Sequence, residues 1–432
     1  MHVLRRATRK SCVGSKHTKT MSLETHIAGS EDALLDALHF GGRNSASYIT
    51  ERRQVTFAPS SAASWKPSGT RLMRWNLADQ SGWLDGKTVR LFFTLTNLST
   101  TVGLTPTCDS VASMFRRVRI IANGSAVIED IEENGRLVEM FSYLLPANRR
   151  MGNLGESWGA SSTTPTLTNL APINPLGPNT SRQVGCSFIS PFLNNGKYLP
   201  LSLMPITIEI ELDAADAAFS GSPDWEITRP RLLGDVCQLD QSLSNSYAQH
   251  LLQGKSLPFQ CEGLYSIRTT VTSGSRFSYP IARGFTNLTA IYISLWDGNG
   301  SWITNFYHPS AGGPNATVID DFNWNITIGA DKFPIFDCES TQESYYRLRL
   351  CEQTHGGRDS FGITPWEYYT NSFIIGQSLE KAPGSAWTGY NSRSGSQLTI
   401  NCKELHNAST MHIVLRYAQI VNLSAAGTQV LD

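Results

Sequence analysis

The stretch FRRVRIIANGSAVIEDIEENGRLVEM, residues 115–140, decides how the chain is read, because FNWNITIGADKFPIFDCESTQESYYR, residues 322–347, lies along it without a gap. In each, an alternating apolar segment runs into a turn. A second short apolar run then ends on an aspartate, Asp130 or Asp337, and a helical pattern follows. Successive side chains of a strand point to opposite faces, so alternation of this kind marks a strand with one buried face. Asn123-Gly124, which closes the first strand, is a hairpin signal because both residues tolerate positive φ. Leu137, Val138, Phe141, Leu144 and Leu145 recur at helical spacing after Asp130-x-x-Glu133. Over 340–352 Tyr345, Tyr346, Leu348 and Cys351 follow Ser340-x-x-Glu343, and both openings resemble capping boxes. Few positions are identical, so the pairing rests on a shared order of elements. The competing reading is that any two sandwich segments slide into partial register.

The same pattern extends to both sides. Ile206, Ile208, Ile210 and Leu212 alternate with Thr207, Glu209 and Glu211, and Ile291, Ile293 and Leu295 alternate with Tyr292 and Ser294. Met411, Ile413, Leu415 and Tyr417 repeat it, and Val89–Leu95 reads as a further strand. After the helical patterns come Ser187-Phe188-Ile189 in one half and Ser372-Phe373-Ile374 in the other. Each half closes on a strand carrying an arginine, Trp225–Leu239 or Met411–Leu423. Turn residues between short apolar runs mark an all-β protein. The expected division is an N-terminal arm with a short helix (Glu31–Phe40) over 1–44, a first sandwich over 45–240, a linker over 241–260 and a second sandwich over 261–432. The segment 150–185, rich in Pro, Gly, Ser, Thr and Asn, and the shorter 380–397 are expected to be loops, with long ordered loops usually serving as functional surface.

A chain of 432 residues buries a large core. Its charged fraction is only 17%, and 36 basic side chains balance 36 acidic ones, which leaves no overall field to steer nucleic acid. The exception is residues 1–20, MHVLRRATRKSCVGSKHTKT, basic with no acidic residue before Glu24. Basic arms meet nucleic acid in many proteins, but as a solvated end this one is no evidence for specific binding, and Met21 offers an alternative start. The arm lacks the apolar core of a signal peptide, which points to intracellular synthesis, and no apolar run is long enough to span a membrane.

No reaction-grade motif stands out. The eight cysteines form no Cys-x-x-Cys pair and no zinc-ligand cluster; in their apolar contexts they read as small hydrophobes. Gly82-Trp-Leu-Asp-Gly86-Lys87-Thr88 has one residue too few between its glycines for a phosphate-binding loop and leads into a strand, so it reads as a turn. His250, His308, His355, His406 and His412 are scattered. Asp320-Asp321, a possible carboxylate pair, reads better as a solvated turn. Trp296, Trp302, Trp324, Trp366 and Trp387 concentrate in the second half, where a sugar-stacking platform competes with core and interface packing. No catalytic, cofactor-binding or metal-ligating residue is assigned.

A family resemblance rests on two stretches. A short helical pattern followed by Tyr48-Ile49-Thr50 and Gln54-Val55-Thr56-Phe57 resembles the opening of major capsid proteins of large eukaryotic DNA viruses and their smaller relatives. The run YLPLSLMPITIEIEL, residues 198–212, is similar to a feature late in their first domain, in which small apolar residues and Pro-Leu precede an alternating strand. In length the chain is closest to capsid proteins of polinton-like viruses, adintoviruses and virophages. The resemblance covers residues 31–425 in architecture. It departs around Arg52–Trp65, where FAPSSAASW stands in place of a basic-aromatic stretch, and this leaves the subgroup open.

The resemblance implies two tandem eight-stranded jelly-roll sandwiches with short helices in the loops, and three copies forming a pseudo-hexagonal capsomer of an icosahedral shell. Loops such as 150–185 would form the outer crown, and the N-terminal arm would lie inside, near an internal membrane or the genome. The implied partners are a homotrimer, neighbouring capsomers, the penton and minor capsid proteins, with no small-molecule substrate, no cofactor and no enzymatic activity. The implied location is the virion, after synthesis in the host cytoplasm or nucleus. Two alternatives stay open: a carbohydrate-binding or carbohydrate-active sandwich protein, and an extracellular two-sandwich adhesion protein.

Overall fold

Alternation over so many short segments calls for strands that each bury one face, and the chain meets this demand twice. The computed structural model describes residues 48–432 apart from 61–62, 81, 107–109, 159–174, 221–223, 297–305, 307, 310–320, 353–361, 371, 383–387, 394–395 and 407–408. In the first half the strands are β1 (Ile49–Phe57), β2 (Leu72–Leu77), β3 (Gly82–Asn97), β4 (Phe115–Ala122), β5 (Ala126–Glu132), β6 (Ser181–Ser187), β7 (Ile206–Leu212) and β8 (Trp225–Leu239). One sheet has the order β1-β8-β3-β6 and the other β2-β7-β4-β5. The second half has β9 (Leu257–Val271), β10 (Gly274–Ile281), β11 (Leu288–Trp296), β12 (Asn323–Ile328), β13 (Asp331–Cys338), β14 (Ile374–Ser378), β15 (Leu398–Leu405) and β16 (Ser409–Ser424). Its sheets run β9-β16-β11-β14 and β10-β15-β12-β13. Each of these second-half strands thus takes the place of the strand eight earlier, and all these pairings are antiparallel. Shorter strands such as Gly427–Leu431, which pairs with β16, lie off the two paths. This is the jelly-roll order, made twice, as the 115–140 and 322–347 pairing anticipates.

Details of the pairing are physical rather than identical. Ala122 accepts from the Ser125 amide at 3.2 Å across Asn123 (φ 50°) and Gly124 (φ 74°), the left-handed turn the Asn-Gly pair favours. The glycine of β6 opposite Phe92, Gly185, is matched in β14 by Gly376 opposite Tyr292. The space a side chain would take is filled by the Phe92 ring at Gly185 and by Leu348 and Cys351 at Gly376. Ile206, Ile208, Ile210 and Leu212 enter the core as expected. Their polar neighbour Glu209 is also buried, held by Arg74 and Arg119 at 3.1 Å each.

Several expectations are corrected. Asp130 is no helix cap: it lies in β5 and takes a two-pronged ion pair from Arg117 at 2.7 and 2.6 Å. The helix α1 (Asn134–Leu144) starts instead from Glu133 in the left-handed conformation (φ 50°), with no side-chain cap bond. Part of the expected loop 150–185 is helix α2 (Ala147–Trp158), and the linker carries α3 (Gln241–Leu252), whose cap Asp240 accepts from the Ser242 amide at 3.0 Å. Gly82–Thr88 is not a turn but the first part of β3. Ser187 ends β6 whereas Ser372-Phe373 precedes β14, so the two Ser-Phe-Ile stretches lie at opposite ends of equivalent strands. The second capping expectation fits: Ser340 accepts from the Glu343 amide at 3.2 Å ahead of α4 (Thr341–Glu352). The arm 1–44 and the helix at Glu31–Phe40 lie outside the described residues.

The packing of α4 on β14 depends on Gly376, where a Cβ would come within 2.6 Å of Leu348 Cδ1 and 3.1 Å of its Cα. Overpacking against a helix backbone costs about 1–3 kcal/mol. Gly376→Ala is therefore expected to lower the unfolding free energy by that amount, read by circular dichroism as a lower urea midpoint. An unchanged midpoint would mean that α4 gives way freely.

Candidate functional site at the sandwich junction

Helix α1 leaves β5 without a loop, because Glu133 turns the chain in a single residue. Nearly all of it is buried. Val138 joins the apolar core of the first sandwich, while Leu137, Met140 and Leu144 join that of the second. Phe141 meets Tyr292 edge-on at 5.3 Å between ring centres, and Tyr143 meets Phe306 at 5.7 Å. The exchange is mutual, since Phe259, Cys261, Val421 and Leu423 of the second half complete the core of the first. Helix α1 thus reaches β11 through Phe141, while Glu352 of α4 accepts from Tyr292 at 2.6 Å on the same strand, which is buried at every position.

A polar seam crosses this apolar junction. Arg268 donates to Glu133 at 3.3 Å, Ser266 donates to the carbonyl of Glu132, and Asn123 donates to Thr428 at 2.8 Å. The Arg136 guanidinium lies 3.6 Å over the Trp296 ring. Arg268, His412 and Ser294 are direct neighbours across β9, β16 and β11. His412 is fully buried, its ring 5.6 Å from Trp296, and neither ring nitrogen has a hydrogen-bond partner. Burial, reinforced by the Arg136 and Arg268 cations, pushes its pKa down to about 3. Nearby, the buried Glu129 accepts from Ser190 Oγ and from the Phe192 amide at 2.7 Å, and burial raises its pKa to about 7.

This arrangement joins the two sandwiches through buried apolar and polar contacts. His308 is buried on Thr341 at 2.8 Å, and exposed His406 pairs with Asp321 at 2.9 Å. His250 sits on α3, while His355 and Asp320 lie outside the described residues. Trp296 and Trp324 are core residues and Trp366 is exposed; Trp302 and Trp387 are outside the described set. Cys186, Cys237, Cys261, Cys338, Cys351 and Cys402 are free and buried, and burial pushes the Cys186, Cys261, Cys351 and Cys402 thiols up to about 12. Among the described residues no group of three or more His, Cys, Asp or Glu is placed to hold a metal. Sequence reasoning missed the junction, because Arg136, Trp296 and His412 come from separate segments with no local motif.

In the unfolded chain His412 takes up its proton near the ordinary 6.5, whereas in the folded protein it resists protonation down to about 3. The stability this gives is present above pH 6.5 and is lost as pH falls through that window, by on the order of 3 kcal/mol at pH 4. Glu129 acts in the opposite sense: its raised pKa costs stability as pH rises from about 4.5 to 7. Urea unfolding of the native protein, His412→Phe and Glu129→Gln across pH 4–8 separates the two. His412→Phe is expected to flatten the acid limb, and Glu129→Gln to raise stability above pH 7.

No protein-family model matches the sequence, and no curated protein does. Solved structures match its fold. A chain of the PBCV-1 virus capsid superposes with a TM-score of 0.61 at 9% identity, covering 88% of this chain and 96% of that one. The Faustovirus major capsid protein gives 0.57 at 7% identity, covering 87% and 90%. A chain of the Sputnik virophage gives 0.55 at 11% identity, covering 88% of each. Two sandwiches of one strand order, joined end to end over this length, make the chain a double jelly roll of the kind found in viral major capsid proteins.

Proposed function

We propose that this chain is the major capsid protein of an icosahedral double-stranded DNA virus, a structural subunit without enzymatic activity. The observation that carries the reading is the repeated strand order over nearly the whole chain, matched to capsid chains along almost their full lengths. Three copies form the capsomer, so that six similar sandwiches approximate a hexagon and tile a shell beside neighbouring capsomers, pentons and minor capsid proteins. The division is an arm over 1–44, a first sandwich over 45–240, a linker over 241–260 and a second sandwich over 261–432. The basic arm faces the interior, toward the genome or an internal membrane. A carbohydrate-active sandwich is disfavoured by the burial of Trp296 and Trp324, which removes them from any sugar platform.

Light scattering on purified protein, with negative-stain imaging, tests this. The expected species has three times the chain's mass and a six-lobed outline. A monomer at every concentration, with no shell or capsomer in the images, would sink the reading.

A further inference from the structure

We propose that Arg283, Arg393 and Thr286 form a carboxylate-binding site, filled by Asp432 of the same chain, and that this site is the catch of a strap, residues 427–432, that clamps the second sandwich onto the first. A competing carboxylate at the site releases the strap.

The strap begins with β17 (Gly427–Leu431), which turns back after β16 and pairs antiparallel with Ile420–Ser424. Strand β9 holds one edge of β16 from Ser409 to Leu423, so β17 takes the side that β11 occupies up to Tyr417. A strand this short with one hydrogen-bonded neighbour is weakly held by its ladder, and its Gln429 and Leu431 face solvent. Its other residues reach the first sandwich. Thr428 accepts from Asn123 of the β4–β5 turn at 2.8 Å, and Val430 packs against the first apolar core. The strap therefore touches both halves, and Asp432 fastens its far end.

At the catch, the two side-chain oxygens of Asp432 divide between two guanidiniums, Arg283 at 2.6 Å and Arg393 at 2.5 Å. Thr286 donates to the main-chain oxygen of Asp432 at 2.7 Å. Both arginines are also held by groups other than the carboxylate. The Arg283 guanidinium lies 4.6, 4.9 and 5.5 Å from the ring centres of Tyr265, Phe285 and Tyr417. Arg393 donates through Nε to the Gly284 carbonyl at 3.4 Å, and its amide donates to Asn391 at 2.8 Å. The Asp432 side chain is only 18% exposed, so this network escapes much of the solvent screening that leaves most surface ion pairs weak. Planar guanidinium forks match the geometry of a carboxylate. A recess of about 450 Å³, lined by Arg283, Gly284, Ser392, Arg393 and Gln397, opens beside them. A dissolved carboxylate can reach the same guanidiniums through it.

Hydrogen–deuterium exchange of the full-length chain, read by mass spectrometry, tests the clasp. In Asp432→Asn the amides of residues 427–432 are expected to exchange about tenfold faster, as for the loss of one charge-assisted pair, while those of β11 keep their native rate. On the native protein, sodium succinate is expected to speed exchange of the strap beyond sodium chloride of equal ionic strength, and to add nothing in Asp432→Asn. Strap exchange unchanged by the substitution would overturn the clasp. Succinate acting no more strongly than chloride would overturn the carboxylate site. If β11 also quickens in Asp432→Asn, the substitution has loosened the sandwich itself, and the succinate comparison on the native protein decides alone.

Discussion

Everything in the fold depends on one helix that belongs to both sandwiches. A jelly roll normally closes its own core, and two joined by a linker would behave as beads. Here α1 is inserted between them, with Val138 turned to one core and Leu137, Met140 and Leu144 to the other. Each buried aliphatic side chain contributes on the order of 1.5–3 kcal/mol of transfer free energy. Such terms on one 11-residue helix exceed what a flexible tether provides. The left-handed Glu133 makes the placement possible, because it turns the chain out of β5 without a loop. The same glutamate then holds Arg268 from the other side.

Burial at the junction explains features that look anomalous one residue at a time. A neutral histidine without partners, an arginine stacked on tryptophan and a carboxylic acid titrating near 7 would mark an active site in an enzyme. In this protein they lie along the seam between the two sandwiches. Perturbed acidities here report the dryness of a joint.

How much could be read beforehand followed from how local the signal was. Strand alternation at Ile206–Leu212 and Met411–Tyr417 and the hairpin at Asn123-Gly124 are set by neighbouring residues, and all were legible. The duplication was legible for the same reason, through one gapless pair of segments. Helices α2 and α3 were hidden because turn-forming residues dominate their composition: Gly152 and Gly155 in one, and the serines around Asn245 in the other. The Asp130 capping box was a false signal, since an acidic residue on a half-buried strand serves an arginine equally well. The junction itself was illegible, because a side chain's facing across sandwiches depends on long-range register. The strand order matches capsid chains at 7–11% identity, where neither a family model nor a curated protein matches the sequence.

The exchange of core residues also constrains the order in which the chain can become compact. The first sandwich leaves the ribosome before Phe259, Cys261, Val421 and Leu423 exist to finish it, and until then α1 has nowhere to put Leu137, Met140 and Leu144. For that interval the nascent chain carries an unburied apolar helix beside an incomplete core. The second half does not merely add a similar module. It ends the period in which the first is sticky, and this ties closure of the first core to completion of the last long strand, β16.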